Sequence, residues 1–208
     1  MCGRFALLAD LASVTEVFDL HASAGPYQTG DNISPGQRVA AVVLREGGNR
    51  LVQFQWGLIP SWAKDPLMGN RMFNARAETI AEKPSFRNAF RKRRCLIIAD
   101  GFYEWQKTGS VRNPFLFGLK SGEPFGLAGL YESWEAPDVQ TIPSCTIITT
   151  EPNELIKPIH DRMPVILPVD RHIFWMDPKN HDQQALLSML KPYPSEGMEM
   201  RAAQIGRY

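Results

Sequence analysis

The sequence predicts an α+β protein in which short strands carry most of the structure. Three observations lead there. Short apolar runs recur at 96–99, 115–119, 125–131 and 144–150, separated by Gly- and Pro-containing turns. Val39 to Leu44 and Leu51 to Trp56 flank Glu46-Gly47-Gly48-Asn49, the pattern of a hairpin. Helical spacing of apolar residues is confined to brief stretches. With 208 residues, 44% of them hydrophobic and 10% aromatic, the chain can bury a substantial core, and one domain over 1–208 is expected.

Taken in order, Leu8 to Leu20 has the spacing of a helix, with Leu11, Val14, Val17 and Phe18 facing inward. A loop rich in Gly, Pro, Asn and Ser follows and ends in Asn32-Ile33-Ser34-Pro35-Gly36; the hairpin comes next. Trp56-Gly57-Leu58-Ile59-Pro60-Ser61-Trp62 reads as an irregular loop. In Phe73-Asn74-Ala75-Arg76-Ala77-Glu78-Thr79 a carboxamide, a guanidinium and a carboxylate alternate, so on a strand all three point to one face. Pro84 to Arg94 has the pattern of an amphipathic helix, with Phe86 and Phe90 inward and Arg87, Arg91, Lys92, Arg93 and Arg94 around them. That run is either a solvated face or a phosphate-contacting ridge. Leu96 to Ala99 makes a buried strand leading into Asp100-Gly101-Phe102-Tyr103-Glu104-Trp105, and further strands follow at 115–119, 125–131, 144–150 and 165–167. Short helices at 171–176 and 182–190 and a Pro-containing turn at 191–194 close the chain.

The net charge of +1 supplies no global field that would commit the chain to nucleic acid or membrane, so any basic surface is local. No apolar run approaches ~18 residues and no charged-then-apolar leader is seen, which predicts a cytoplasmic protein without a membrane partner. Cys2, Cys95 and Cys145 form neither a CxxC pair nor an even disulfide set. Cys95 and Cys145 sit in strand-like runs and are expected to be buried as small hydrophobes. No metal and no organic cofactor is expected.

Four positions carry chemistry. Cys2 follows a removable Met1 and precedes Gly3, so processing would leave an amine near pKa ~7.7–8.0 and a thiol near ~8.5 on adjacent carbons. Such an aminothiol condenses with an aldehyde to a Schiff base, which the thiol closes to a thiazolidine. Glu104 stands among Phe102, Tyr103 and Trp105, surroundings that raise a carboxyl pKa toward acid–base work. His160 is followed by Asp161 in a loop near Pro164 and reads as a proton shuttle, whereas His21, His172 and His181 are expected to be exposed. Trp62, if exposed, offers a stacking face to an unpaired base, worth roughly 1–3 kcal/mol.

Seven segments in order, Met1-Cys2-Gly3-Arg4-Phe5, Asn32-Ile33-Ser34-Pro35-Gly36, Trp56-Gly57-Leu58-Ile59-Pro60, Asn74-Ala75-Arg76-Ala77-Glu78-Thr79, Arg94-Cys95-Leu96, Asp100-Gly101-Phe102-Tyr103-Glu104-Trp105 and His160-Asp161-Arg162-Met163-Pro164, together resemble the SOS response-associated peptidase (SRAP) family. Its members shield abasic sites in single-stranded DNA. The resemblance implies a curved, mostly antiparallel, barrel-like sheet with short peripheral helices. It also implies a thiazolidine between Cys2 and C1′ of the abasic sugar. Asn74 then matches the asparagine that orients the reacting groups, Glu104 the carboxylate beside the N-terminal amine, and His160 the histidine that helps open the sugar ring. Arg4, Arg76 and Arg162 match positions suited to phosphates, and Pro35 and Trp62 those against which bases pack.

The resemblance further implies a monomer whose partner is single-stranded DNA containing abasic sites, associated with the nucleoid when bound. The family name keeps an older proposal, a cysteine peptidase built from the same Cys2, Asn74, Glu104 and His160. An N-terminal-nucleophile amidohydrolase and a plain single-stranded DNA-binding module are the other readings. One departure concerns residues 198–208: the family's final strand carries a Val-Asn motif where this chain reads Met198-Glu199-Met200-Arg201-Ala202, which puts the last strand in question.

Overall fold

The computed structural model describes residues 2–23, 27–135 and 141–205. Its elements run β1 (Phe5–Leu7), α1 (Leu11–Phe18), β2 (Leu20–Ser23), β3 (Gly30–Ile33), β4 (Arg38–Arg45), β5 (Gly48–Trp56), β6 (Asn74–Arg76), α2 (Arg87–Lys92) and β7 (Arg94–Ala99). They continue with β8 (Gly101–Thr108), β9 (Val111–Leu119), β10 (Phe125–Glu135), β11 (Thr141–Thr150), β12 (Met163–Pro164), β13 (Ile166–Leu167), α3 (His172–Met176), α4 (Gln183–Ser188) and β14 (Met198–Ala202). Short helices thus decorate a strand-dominated α+β fold.

Five strands close a barrel. β4 pairs antiparallel with both β5 and β7, β7 with β10, and β10 with β11. A short parallel pairing of Ser144 and Cys145 on β11 with Gln55 and Trp56 on β5 completes the ring. Closure removes the exposed edges that an open sheet would leave. The barrel tolerates little extra volume: a Cβ placed on Gly129 would lie 2.1 Å from Ile97 Cδ1 and 3.0 Å from the carbonyl oxygen of Thr146. A second, antiparallel sheet in the order β14-β9-β8-β1-β3 packs with the barrel into one apolar core that includes Phe5, Phe102 and Phe117 beside Leu96, Ile97 and Ile147.

Several expectations are corrected. The first helix spans Leu11–Phe18 rather than beginning at Leu8, because Asp100 Oδ2 accepts hydrogen bonds from the amides of Leu8 and Ala9 and holds that turn extended. Asp10 caps the helix, accepting from the Ser13 amide at 2.8 Å, and Leu11 is 36% exposed instead of inward. Arg94 belongs to no phosphate ridge. It is 2% exposed, and its guanidinium donates to the carbonyl oxygens of Trp175, Phe90, Arg91, Asp177 and Asn180. Arg93, partly exposed, pairs through Nη2 with buried Glu132. His172, expected at the surface, is 4% exposed and stacks on Phe18 with ring centroids 5.3 Å apart. The closing strand forms after all, as β14 pairs with β9 from Met198↔Leu119 to Ala202↔Phe115.

Candidate active site

Four chain-distant segments meet at the amino-terminal end of β1. Cys2 is fully buried three residues before the strand begins. Its position is set by the sheet: Phe5 pairs with Phe102 on β8, and the Tyr103 amide donates to the Arg4 carbonyl at 2.9 Å. β8 therefore delivers Glu104 beside Cys2. β6 arrives from the other side by parallel pairing with β11, Asn74 opposite Ile147 and Arg76 opposite Thr149. Ala75 turns into the core while Asn74 faces the site, and its Nδ2 donates to the Cys2 carbonyl at 2.7 Å. The Asn74 Oδ1 is buried with no hydrogen-bond partner among the described residues.

His160 comes from the turn that follows β11. Asn153 shapes that turn, accepting from the Ile156 amide at 3.1 Å and donating to the Tyr193 carbonyl at 2.8 Å, and the His160 amide bonds to the Ile156 carbonyl at 2.9 Å. The ring then lies with Nε2 3.8 Å from Glu104 Oε2 and Nδ1 3.1 Å from Asp161 Oδ1. Asp161 is well exposed, so its charge is screened by water.

Burial dominates the electrostatics. Glu104 is 2% exposed and its pKa is pushed up to about 7, chiefly by burial. The Cys2 thiol is held well above its ordinary value by burial and then by the nearby Glu104 charge. His160 is lowered, first by burial. The cluster thus contains a protonated thiol, a carboxyl poised to gain or lose a proton near neutrality, and a neutral imidazole.

The remaining expected positions surround this cluster unevenly. Arg4 donates to Asn32 Oδ1 at 2.9 Å and borders a cavity of about 430 Å³ lined also by Gln28, Asp31, Ser34 and Arg38. Pro35 sits in the turn beyond β3, half-buried, where the Gly36 amide bonds to the Trp56 carbonyl at 2.7 Å and Gly36 has a positive φ of 90°. Trp62 is 53% exposed on a loop anchored by the Trp134 indole, which donates to the Ala63 carbonyl at 2.7 Å. Arg76 is exposed. Arg162 is not free: its guanidinium grips Glu78 with two bonds of 2.7 and 3.0 Å and donates to the Thr149 carbonyl at 2.7 Å. Glu78 itself lies in a 3₁₀ turn, Ala77–Thr79, rather than on the strand with Asn74 and Arg76. Among the described residues no group of His, Cys, Asp and Glu is arranged to hold a metal ion, and no helix is long and apolar enough to cross a membrane.

A barrel flanked by a second sheet, with a buried thiol and carboxylate beside a half-buried amide and imidazole at their junction, defines the class. Residues 1–206 match the family model described as SOS response associated peptidase (SRAP), and the chain belongs to that family. It is 46% identical over 202 residues to the abasic site processing protein YoqW of Bacillus subtilis, covering 96% of this chain and 90% of that protein. Similarity extends to the abasic site processing protein HMCES of Xenopus tropicalis, 34% identical over 150 residues, which span 61% of this chain and 45% of that one. A crystal structure of a Bacteroides thetaiotaomicron protein superposes with a TM-score of 0.89 at 27% identity, covering 98% of this chain and 92% of the other.

Proposed function

We propose that this protein processes abasic sites by binding single-stranded DNA and forming a thiazolidine cross-link through Cys2 once Met1 is removed. The observation that carries the reading is the convergence of buried Cys2 and Glu104 with half-buried Asn74 and His160 in one cluster. The names of the relatives, abasic site processing proteins, point the same way.

The abasic deoxyribose opens to an aldehyde. The Cys2 amine adds to C1′, the carbinolamine loses water to give an imine, and the thiol sulfur then bonds to the same carbon while its proton ends on nitrogen. Protein and aldehyde therefore yield thiazolidine plus one water. A thiol held protonated needs a base at hand, and a leaving hydroxyl needs an acid. Glu104, with its pKa near 7, serves both steps. Asn74 Nδ2 fixes the Cys2 carbonyl, and its buried Oδ1 is an acceptor available to the amine or the sugar hydroxyl. His160 donates to the sugar oxygen as the ring opens. Arg4 and Arg76 meet the flanking phosphates, joined by the one Arg162 Nη1 hydrogen that Glu78 leaves unused, while Trp62 and Pro35 pack against bases.

Intact-mass spectrometry of the purified protein, before and after mixing with a single-stranded oligonucleotide bearing one abasic site, tests this. The expected species lacks Met1 and equals protein plus oligonucleotide minus water, survives denaturation, and is missing in Cys2→Ala. Protein that lacks Met1 and still forms no adduct refutes the proposal.

A further inference from the structure

A neutral imidazole has one proton to place, and which nitrogen carries it decides whether the ring can donate or accept toward a substrate. At His160 the choice is contested. The Arg162 amide nitrogen lies 3.0 Å from Nδ1 in donating geometry, which requires a bare Nδ1. The Arg162 carbonyl at 3.2 Å and Asp161 Oδ1 at 3.1 Å would each favour a proton on that same nitrogen. Asp161 is exposed to solvent and needs no protein donor, whereas an Arg162 N–H without an acceptor would be an orphaned backbone donor. The balance turns on how firmly residue 162 is held.

We propose that Glu78 is a positioning residue that sets the tautomer of His160 through Arg162. Both carboxylate oxygens of Glu78 accept from the Arg162 guanidinium, at 2.7 and 3.0 Å, and the Thr149 carbonyl on β11 accepts from the same group at 2.7 Å. Bidentate pairing fixes the plane of the guanidinium as well as its place. Arg162 also lowers the Glu78 pKa by hydrogen bonding, so the clamp stays charged at neutral pH. It ties the Ala77–Thr79 turn after β6, which carries Asn74, to the loop that carries His160. With the Arg162 amide aimed at Nδ1, the ring proton stays on Nε2, the nitrogen that faces Glu104 at 3.8 Å. The ring then meets the sugar as a proton donor; this consequence rests on the abasic-site reading, the tautomer itself does not.

Long-range 1H–15N correlation spectra of the free, histidine-labelled protein at about pH 8, above the ordinary ring pKa of ~6.5, provide the test. His160→Asn assigns the ring by the signals it removes. His172 serves as an internal reference for an intact fold, because its Nε2 donates to the Leu167 carbonyl at 3.0 Å in the core. Expected are an Nε2–H pattern for His160 in the wild type, an averaged pattern from both tautomers in Glu78→Ala, and an intermediate one in Glu78→Gln, with His172 unchanged in all three. A wild-type Nδ1–H pattern, or a Glu78→Ala spectrum identical to the wild type, overturns the proposal. If Glu78→Ala also disturbs His172, Glu78→Gln decides by the same criterion. On an abasic oligonucleotide, Glu78→Ala should slow cross-linking by roughly tenfold, a part of the ~10²–10⁴ that a placed acid–base group supplies. No cross-linking by the wild type would refute the abasic-site reading, while the ring spectra would still decide the role of Glu78.

Discussion

Replacing Glu104 with glutamine should remove a pH-dependent loss of stability that the native protein carries. In the folded chain the carboxyl titrates at about 7, against an ordinary value of 4.5. Between those values the native state keeps a proton that the unfolded chain has released, so stability falls as pH rises. The contribution is fully present below pH 4.5 and is lost as pH climbs through 7. At ~1.36 kcal/mol per pH unit the total is on the order of 3 kcal/mol, most of which falls between pH 5 and pH 8. Glutamine has nearly the same shape and never ionises, so this slope vanishes.

His160 and His172 act in the opposite sense. Their pKa values are lowered, chiefly by burial, so they add stability as pH rises toward 6.5. Both rings are present in the variant, so their contributions cancel in the difference between the two proteins, apart from the coupling of His160 to Glu104 at 3.8 Å. Urea unfolding of wild type and Glu104→Gln at pH 5 and pH 8, at constant ionic strength, measures that difference. The variant should gain on the order of 2 kcal/mol or more relative to the wild type between the two pH values, about 1 M in urea midpoint for a chain of this size. A difference constant to within ~0.5 kcal/mol would show that Glu104 is not held neutral by burial, and the acid–base role assigned to it would fall with that.

Three further outcomes follow from the packing. Arg94→Met should cost about 3 kcal/mol or more, because five carbonyl oxygens lose a charged donor; calorimetry should then show Tm lowered by roughly 6–12 °C, and an unchanged Tm would contradict the buried placement. Gly129→Ala should cost about 1–3 kcal/mol in chemical unfolding, since the new methyl must displace Ile97 and press on the Thr146 carbonyl. An NMR pH titration should find the His172 ring midpoint below 6.5, as burial against Phe18 disfavours its charge; a midpoint at or above that value would contradict its burial.

The strands were legible because alternation and apolar runs report burial locally, and the hairpin of β4 and β5 spans a turn readable from Gly47 and Gly48. Barrel closure was not, since the parallel contact of Cys145 with Trp56 joins residues far apart in sequence, and no local pattern encodes such a pairing. The same limit hid the fate of the arginines. Arg91 and Arg94 sit in one basic run, yet one is exposed and the other buried, because only the latter opens the apolar strand β7. His172 carried a usable signal that composition obscured: it lies three and four residues before Trp175 and Met176, the spacing of one buried helix face.

At the site, the sequence marks residue types but not their obligations. Asn74, Arg76 and Glu78 alternate as if on one strand face, and that pattern holds only as far as Arg76, where β6 ends and a 3₁₀ turn begins. The change of geometry swings Glu78 toward Arg162, 84 residues away, instead of leaving it beside Asn74. Arg162, read alone, is a phosphate ligand; paired with Glu78 and Thr149 it is first a brace for the His160 loop, with only part of its donor set left for DNA. A guanidinium tied at three points loses little further side-chain entropy when a phosphate arrives. The clamp that orders His160 would therefore also preorganise the cation expected to meet the strand, so one carboxylate can serve both the chemistry and the binding.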